Sequence, residues 1–334
     1  MSEISCEFWL RVDDWGHRIV TVFGGVICLT LLYLTVFTNQ RVLAEFRLIL
    51  FFCSLADIQC WLISSYVHMS MDVTEGTELI VVRAVKPFNG KYSPSTQRNL
   101  ALLFVYGGIL VILMLPMNCY CRYVLIKRSE LRLRTTVSAF GLACFVAAFM
   151  ATWVGFTVSW NEDGRFQSSS CISQDNRGII MYTKMTDPFC RMYFLFAAIL
   201  FVVIYAASIL LARRTFFHIK ERKQSFDAKA LSVQRQLARI MVMQGALPIL
   251  TSIGPALLNV GTMLLNFEVG QIGFVIYGVF NWIPLVNPLA TIIIVKPYRR
   301  HMLRIFSVQR FFNVSSTNSN IVRPATTQTT QTRD

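Results

Sequence analysis

Seven stretches of mostly apolar residues follow one another along this 334-residue chain. A membrane-spanning helix needs about 20 mostly apolar residues, and every stretch reaches that length. Six of them contain no Asp, Glu, Lys or Arg, and the second contains a single acid, Asp57. We number them spans 1 to 7: Ile19–Gln40, Leu48–Met71, Asn99–Cys121, Thr135–Asn161, Met192–Ala212, Ile240–Phe267 and Val269–Val295. The pattern predicts an all-α membrane protein, a bundle of seven transmembrane helices.

The segments outside the spans divide the chain further. Residues 1–18 are predicted to form a separate extracellular N-terminus, and residues 19–296 the bundle. Residues 297–312 combine arginines with apolar residues at helical spacing, which is typical of a short amphipathic helix at the membrane interface. Residues 313–334 are polar and poor in hydrophobic residues, so a disordered cytoplasmic tail is expected. The connection over about 72–98 carries Pro and Gly and predicts turns without a helix.

Charge adds an orientation to this pattern. Only 15% of the residues are charged, against about 25% in soluble domains, yet the net charge is +14. Such a balance is typical of a nucleic-acid binder or of a membrane protein with basic loops. The connections on one side of the predicted membrane hold 22 of the 32 Lys and Arg residues. This asymmetry places the N-terminus outside and the tail in the cytoplasm, and seven spans exclude soluble enzymes and nucleic-acid partners.

Polar residues and prolines inside the spans are candidates for a conformational switch. Asp57 is expensive to bury in a membrane, so it is either a structural hydrogen-bond hub or part of a switch or ion site. Pro248 and Pro255 interrupt span 6, and the pair Asn287–Pro288 interrupts span 7. A proline in a membrane helix frees a carbonyl that another donor must satisfy, and the resulting kink can serve as a hinge.

The cysteines and histidines form no catalytic pattern. Six of the nine cysteines lie within spans, where small buried hydrophobic residues are expected. Of the three outer cysteines, Cys171 and Cys190 are candidates for a disulfide between the second outer loop and the top of span 5. The four histidines are scattered, and no metalloprotease, hydrolase or phosphate-loop motif is present. The sequence therefore predicts neither an enzyme nor a cofactor or metal site.

Four segments carry a resemblance to a known family. They are EFRLILFFCSLADI (45–58), CRYVLI (121–126), SVQRQLARIMVMQGALPIL (232–250) and VNPLATIIIVKPYRRHML (286–303). Together with seven spans they resemble the nematode serpentine chemoreceptors of the Str superfamily, which includes the Str, Srd and Srj types. The resemblance covers about residues 15–306. It implies a G-protein-coupled olfactory-type receptor in the plasma membrane of a sensory cilium, with a small odorant and a heterotrimeric G protein as partners.

The resemblance also gives the basic cytoplasmic face a role. Charge alone favours attraction of this face to anionic lipid in the cytoplasmic leaflet. By resemblance, Arg122 takes the role of the helix 3 arginine, which contacts the G protein or locks the inactive state. The residues that we expect to dock the G protein are Arg122, Tyr123, Arg213, Arg214, Arg235 and Arg239.

The ligand is expected between the outer halves of the helices. Pockets in helical bundles are mostly apolar with a few polar groups. The candidates are Trp61, Ser65 and His68 in span 2, Phe104 in span 3, Tyr193 in span 5, Asn259 in span 6, and Tyr277, Asn281 and Trp282 in span 7. With no acid expected deep in this half, a small neutral odorant fits better than an amine.

A membrane transporter or an odorant-gated channel is the alternative function. A transporter should show internal repeats or several charges within its spans, and here only Asp57 is present. A channel with the inverted topology would place the N-terminus inside, against the charge asymmetry. The sequence leaves open whether the protein forms homo- or hetero-oligomers.

Overall fold

The computed structural model describes residues 3–37, 44–74, 77–84, 93–128, 133–160, 180–221, 251, 254–265, 278–295 and 298–302. Five stretches of helix in these ranges are long and apolar enough to cross a membrane, and two shorter apolar helices follow them. The helices are α1 (Glu3–Ile19), α2 (Gly25–Phe37), α3 (Ala44–Tyr66), α4 (Pro94–Arg128), α5 (Leu133–Thr157), α6 (Pro188–Glu221), α7 (Gly254–Leu265) and α8 (Ile283–Ile294). Each predicted span contains helix, and the predicted seven-helix membrane fold is confirmed.

The first span is longer than its apolar run. A π-helical turn, Val20–Gly24, joins α1 to α2, so one continuous helix runs from Glu3 to Phe37. Residues 3–18 are therefore an extension of the first transmembrane helix, where the sequence predicts a separate N-terminal segment. At the other end of the chain, residues 298–302 are helical, and the remainder of the predicted interfacial helix lies outside the described residues.

Two helices begin at side-chain caps followed by proline. The Ser93 hydroxyl accepts a hydrogen bond from the backbone N–H of Thr96 at 3.3 Å, just before Pro94 starts α4. The Asp187 carboxylate accepts one from the backbone N–H of Phe189 at 3.0 Å, just before Pro188 starts α6. Caps of this kind satisfy N–H groups that the first helical turn leaves open, and proline is favoured at the first helical position. Both helices therefore have defined starts at the same end of the bundle.

Helix α4 lies at the centre of the bundle. It packs against α3, α5 and α6, while α8 packs against α2 and α3. Fully buried residues such as Leu110, Met150 and Met263 form the common core. The outward faces expose large apolar side chains, for example Phe145 and Ile199. Such extensive exposed apolar surface is typical of helices that face lipid.

A four-stranded antiparallel sheet covers one end of the bundle, which we call the sheet end; the opposite end is the far end. Its strands are β1 (Val67–Thr74), β2 (Thr77–Ala84), β3 (Ser159–Trp160) and β4 (Ile180–Lys184), in the order β1-β2-β4-β3. Pairing runs from Val67 opposite Ala84 to Thr74 opposite Thr77, and β2 then pairs with β4. The sheet thus joins the connection after α3 to the connection before α6.

The sheet corrects the predicted end of span 2. The sequence predicts a helix as far as Met71, but α3 ends at Tyr66 and the chain continues as β1. The reason is visible in the sequence VHMSM, in which apolar and polar residues alternate with the period of a strand. Met69 of β1 and Ile80 of β2 are buried against Ile63 of α3, so the sheet packs directly on the helices.

Candidate functional site

A cavity of about 140 Å³ lies beneath the sheet, between α4, α5, α6 and α7. Most of its wall is apolar, with Phe104, Phe194 and Phe280 among its aromatic residues. An apolar cavity of about 150 Å³ is large enough to hold benzene, so this one has room for a small organic molecule. The mostly apolar lining with a few polar groups is that of a small-ligand pocket.

The polar part of this wall centres on Glu78. Glu78 lies on β2 and is only 4% exposed. The Thr183 hydroxyl, directly opposite on β4, donates to Oε2 of Glu78 at 3.3 Å. The side-chain amide of Asn259 on α7 donates to Oε1 at 3.1 Å. The carboxylate of Glu78 therefore accepts hydrogen bonds from β4 and from α7 in a mostly apolar wall.

The amide of Asn259 has a second feature. Its Nδ2 donates to Glu78, whereas its buried Oδ1 accepts no hydrogen bond from the described residues. A buried acceptor without a partner costs free energy, so a ligand that donates to it gains that energy on binding. The Oδ1 atom of Asn259 is therefore a hydrogen-bond acceptor in the cavity wall, beside the carboxylate of Glu78.

Three of the predicted ligand residues line this cavity: Phe104, Tyr193 and Asn259. Glu78 was not among the candidates, because it lies outside the apolar spans and counts there as a solvated loop residue. In a strand, Glu78, Ile80 and Val82 lie on the same face. This spacing of two residues was the sequence signal that could have placed Glu78 beside buried residues. Since Glu78 is an acid in this half of the bundle, the reason for expecting a neutral ligand is wrong.

Three residues predicted for span 2 lie away from the cavity. The indole N–H of Trp61 donates to the carbonyl of Thr21 at 2.8 Å, between α3 and the π-helical turn. The Ser65 hydroxyl donates to the carbonyl of Trp61 within its own helix. His68 lies on β1, with its Nε2 3.0 Å from Oδ2 of Asp13, so it ties the sheet to α1.

The predicted residues of span 7 also lie elsewhere. Asn281 and Trp282, just before α8, line a separate groove of about 620 Å³ beside α1. Asn281 is buried, and Trp282 lies near Gly16 of α1. Tyr277 lies outside the described residues.

The switch candidates meet toward the middle of the bundle. A cavity of about 60 Å³ is lined by Asp57 of α3, Asn118 of α4 and both Asn287 and Thr291 of α8. Asp57 is buried, and it shares this cavity with the Asn287 side chain. The cavity therefore connects three helices through polar groups.

The three prolines among the switch candidates do not all lie inside described helices. Pro288 lies inside α8, one residue after Asn287. Pro255 is the second residue of α7, so it lies at the beginning of the described helix and not in its middle. Pro248 lies outside the described residues.

The docking candidates differ in exposure. Arg122, at the far end of α4, is only 3% exposed and faces the bundle interior. Its neighbour Tyr123 is half-buried, with Nζ of Lys127 5.8 Å from the ring centre. Arg213 and Arg214 on α6 are exposed. Arg235 and Arg239 lie outside the described residues.

The remaining predictions concern cysteines and metals. Cys190, at the start of α6, is a buried free thiol, and its proposed partner Cys171 lies outside the described residues. Within the ranges that the structure describes, no three His, Cys, Asp or Glu side chains are grouped closely enough to hold a metal ion.

The chain is similar to a known protein family over most of its length. A family model described as serpentine type 7TM GPCR chemoreceptor Srd matches residues 14–304, which is most of the chain. No curated protein matches the chain. The matched range runs from α1 to beyond α8, so it includes both cavities and both ends of the bundle.

Proposed function

Because the chain belongs to the Srd family of serpentine seven-transmembrane chemoreceptors, a nematode family of the Str superfamily, we propose that it binds a small odorant and activates a heterotrimeric G protein. It is a multi-pass membrane protein. The proposed binding site is the sheet-end cavity, with Phe104, Tyr193, Asn259 and Glu78 in its wall. The single observation that carries this assignment is a mostly apolar cavity of about 140 Å³ with a few polar groups at one side.

The proposed G-protein surface is the far end. With the sheet end outside the cell, the cytoplasmic connections hold 22 of the 32 basic residues. Arg213 and Arg214 are exposed there and can contact a partner directly. Arg122 points into the bundle, so its proposed role is to respond to helix movement before it contacts the G protein. The same basic face attracts anionic lipid of the cytoplasmic leaflet.

The proposed switch lies between these two ends. Asp57 of α3 and Asn287 of α8 line the same small cavity, and Pro288 supplies a weak point in α8. A ligand can shift an equilibrium between two conformations only by binding them differently. Rearrangement around Asp57 is the proposed way in which the far end responds to the cavity. The proposed location is the ciliary membrane of a chemosensory neuron.

The test uses the full chain in cells with a calcium or cAMP reporter and an odorant panel. We expect ligand-evoked signals that are lost in cells lacking Gα subunits, and an N-terminal epitope that antibodies reach on intact cells. The double variant Arg213→Ala/Arg214→Ala should reduce signalling while surface expression is kept. Arg191→Ala is the matched control, because Arg191 is exposed on the same helix at the sheet end. Signals that persist without Gα would favour an odorant-gated channel or a transporter.

A further inference from the structure

We propose that the sheet-end cavity selects a small neutral alcohol, whose hydroxyl group donates a hydrogen bond to Oδ1 of Asn259. This inference rests on the proposed function in one respect only, that the ligand occupies this cavity. It names the chemical class of the ligand and the atom that recognises it. Recognition depends on the side-chain amide of Asn259 and not on the charge of Glu78.

The hydrogen bond between Asn259 and Glu78 fixes the orientation of the Asn259 amide. Asn259 lies on α7, lines the cavity and is only 7% exposed. Its Nδ2 donates to Oε1 of Glu78 at 3.1 Å, and because a carboxylate oxygen accepts hydrogen bonds, the amide turns its N–H groups toward Glu78. Oδ1 is thereby left as a buried acceptor that receives no hydrogen bond within the part of the chain that the structure describes.

Two hydroxyl groups of this region donate to other acceptors. The Thr262 hydroxyl, one turn along α7, donates to the backbone carbonyl of Asn259 at 2.8 Å. The Thr183 hydroxyl donates to Oε2 of Glu78 at 3.3 Å. A hydroxyl group has a single O–H donor, so neither of them also satisfies Oδ1. Because an unsatisfied buried acceptor is costly, a ligand that brings its own donor gains free energy here.

The rest of the cavity limits the ligand to a small apolar body with one donor. Phe104, Phe194 and Phe280 line the wall, and the volume is about 140 Å³. An apolar cavity of about 150 Å³ holds benzene, so a ligand with as many non-hydrogen atoms as benzene fits. An ether of that size brings only an acceptor, which leaves Oδ1 unsatisfied. A cationic group costs far more to remove from water than a hydroxyl group does.

The experiment compares alcohols with their ether isomers, which contain the same atoms but have no donor. The pairs are n-pentanol with butyl methyl ether, and cyclopentanol with tetrahydropyran. The full chain is purified in detergent, and dissociation constants are measured by saturation-transfer NMR, with empty micelles as the blank. We expect each alcohol to bind on the order of tenfold more tightly than its isomer. Equal affinities within the pairs would overturn the inference, as would an absence of alcohol binding.

Two variants test the assignment to Asn259. Asn259→Leu replaces the amide by an apolar side chain of similar size and should abolish the preference for alcohols while the ethers still bind. Asn259→Gln keeps the amide but moves it by one methylene group, so it should weaken alcohol binding more than ether binding. The matched control is Asn99→Leu, because Asn99 is exposed on α4 at the same end, outside the cavity; it should keep the wild-type preference. An undiminished preference for alcohols in either Asn259 variant contradicts the assignment.

Cellular signals separate this inference from the proposed function. Alcohol binding without a signal in the reporter cells would support the inference and refute the proposed G-protein coupling. Signals evoked by the ethers but not by the alcohols would refute the inference and support the proposed function. The wild-type comparison of isomers does not depend on whether a variant folds.

Discussion

The thiol of Cys28 donates a hydrogen bond to the carbonyl oxygen of Pro284, with an Sγ–O distance of 3.0 Å. Proline has no N–H, so Pro288 leaves the carbonyl four residues earlier in α8, that of Pro284, without its helical donor. Cys28, on α2 and only 1% exposed, supplies the missing donor. The sequence predicts that a carbonyl freed by proline needs a donor, but it predicts Cys28 only as a small hydrophobic residue. The structure shows that Cys28 is this donor.

Replacing Cys28 should therefore cost more than lost packing. Cys28→Ala removes the donor and leaves a buried carbonyl unsatisfied, so we expect a loss of about 1–3 kcal/mol in unfolding free energy. Cys28→Ser keeps a donor at the same position and should lose less. Thermal unfolding of the purified variants measures both. Equal losses in the two variants would show that the contact contributes no stability.

Gly25→Ala should destabilise the interface between α2 and α3. A Cβ at Gly25 would lie 2.6 Å from Cε2 of Trp61, whose indole is held by its bond to Thr21. Because the ring cannot move without losing that bond, we expect a cost of about 1–3 kcal/mol. Gly141→Ala is the control, since a Cβ there meets nothing within 4 Å. The prediction fails if both variants unfold at the same temperature as the wild type.

Asp57→Asn should separate signalling from folding. The substitution keeps shape and hydrogen-bonding capacity in the cavity shared with Asn287 but removes the charge. Ionisable residues inside membrane helices are expensive, which indicates a functional role. We expect normal surface expression and ligand potency reduced about tenfold, within the usual range of coupling energies.

Ser54→Ala is the control for Asp57. Ser54 is buried one turn away on the same helix, where its hydroxyl donates to the carbonyl of Leu50. Unchanged signalling in Asp57→Asn would leave the hydrogen-bond hub as the correct interpretation of this residue.

Tyr298 should make stability sensitive to alkaline pH. Its side chain is buried, and its hydroxyl donates to Oγ1 of Thr35 at 3.4 Å. Burial raises the pKa of the Tyr298 hydroxyl above its ordinary value of about 10. The unfolded chain therefore loses this proton first as pH rises, so the stabilisation is complete below about pH 10 and is lost above it. The wild-type protein should lose more stability than Tyr298→Phe across this range, as measured by chemical denaturation. Parallel losses would contradict the prediction.

Hydropathy was sufficient to locate the helices but not their orientation about their own axes. Span 4 is predicted to begin at Thr135, and α5 begins at Leu133. By contrast, Trp61 lies in the predicted outer half of its span yet faces the π-helical turn and the start of α2 instead of the cavity. One sequence contains no information on which face of an almost uniformly apolar helix contacts which neighbour.

The sequence also predicts only part of the candidate site. Phe104, Tyr193 and Asn259 are predicted from the spans that carry them, and the structure brings them together at one cavity. Glu78 comes from a segment that the sequence assigns to a loop, and it reaches the cavity only because β2 pairs with β4. This pairing is a long-range contact, and hydropathy along the chain does not reveal such contacts.

Because Glu78 lies on a strand, the side chains that line the cavity are independent of the side chains that pack the helices together. Strand β2 is held between β1 and β4 by pairing through the backbone, which places few demands on the side chains. Along β2, Glu78 and Ile80 face the cavity, and Thr183 does so from β4. The lining of the proposed binding cavity can therefore change by substitution at these three positions while the packing between helices stays as it is. A chemoreceptor built in this way can change the side chains of its cover and keep the packing of the helices beneath.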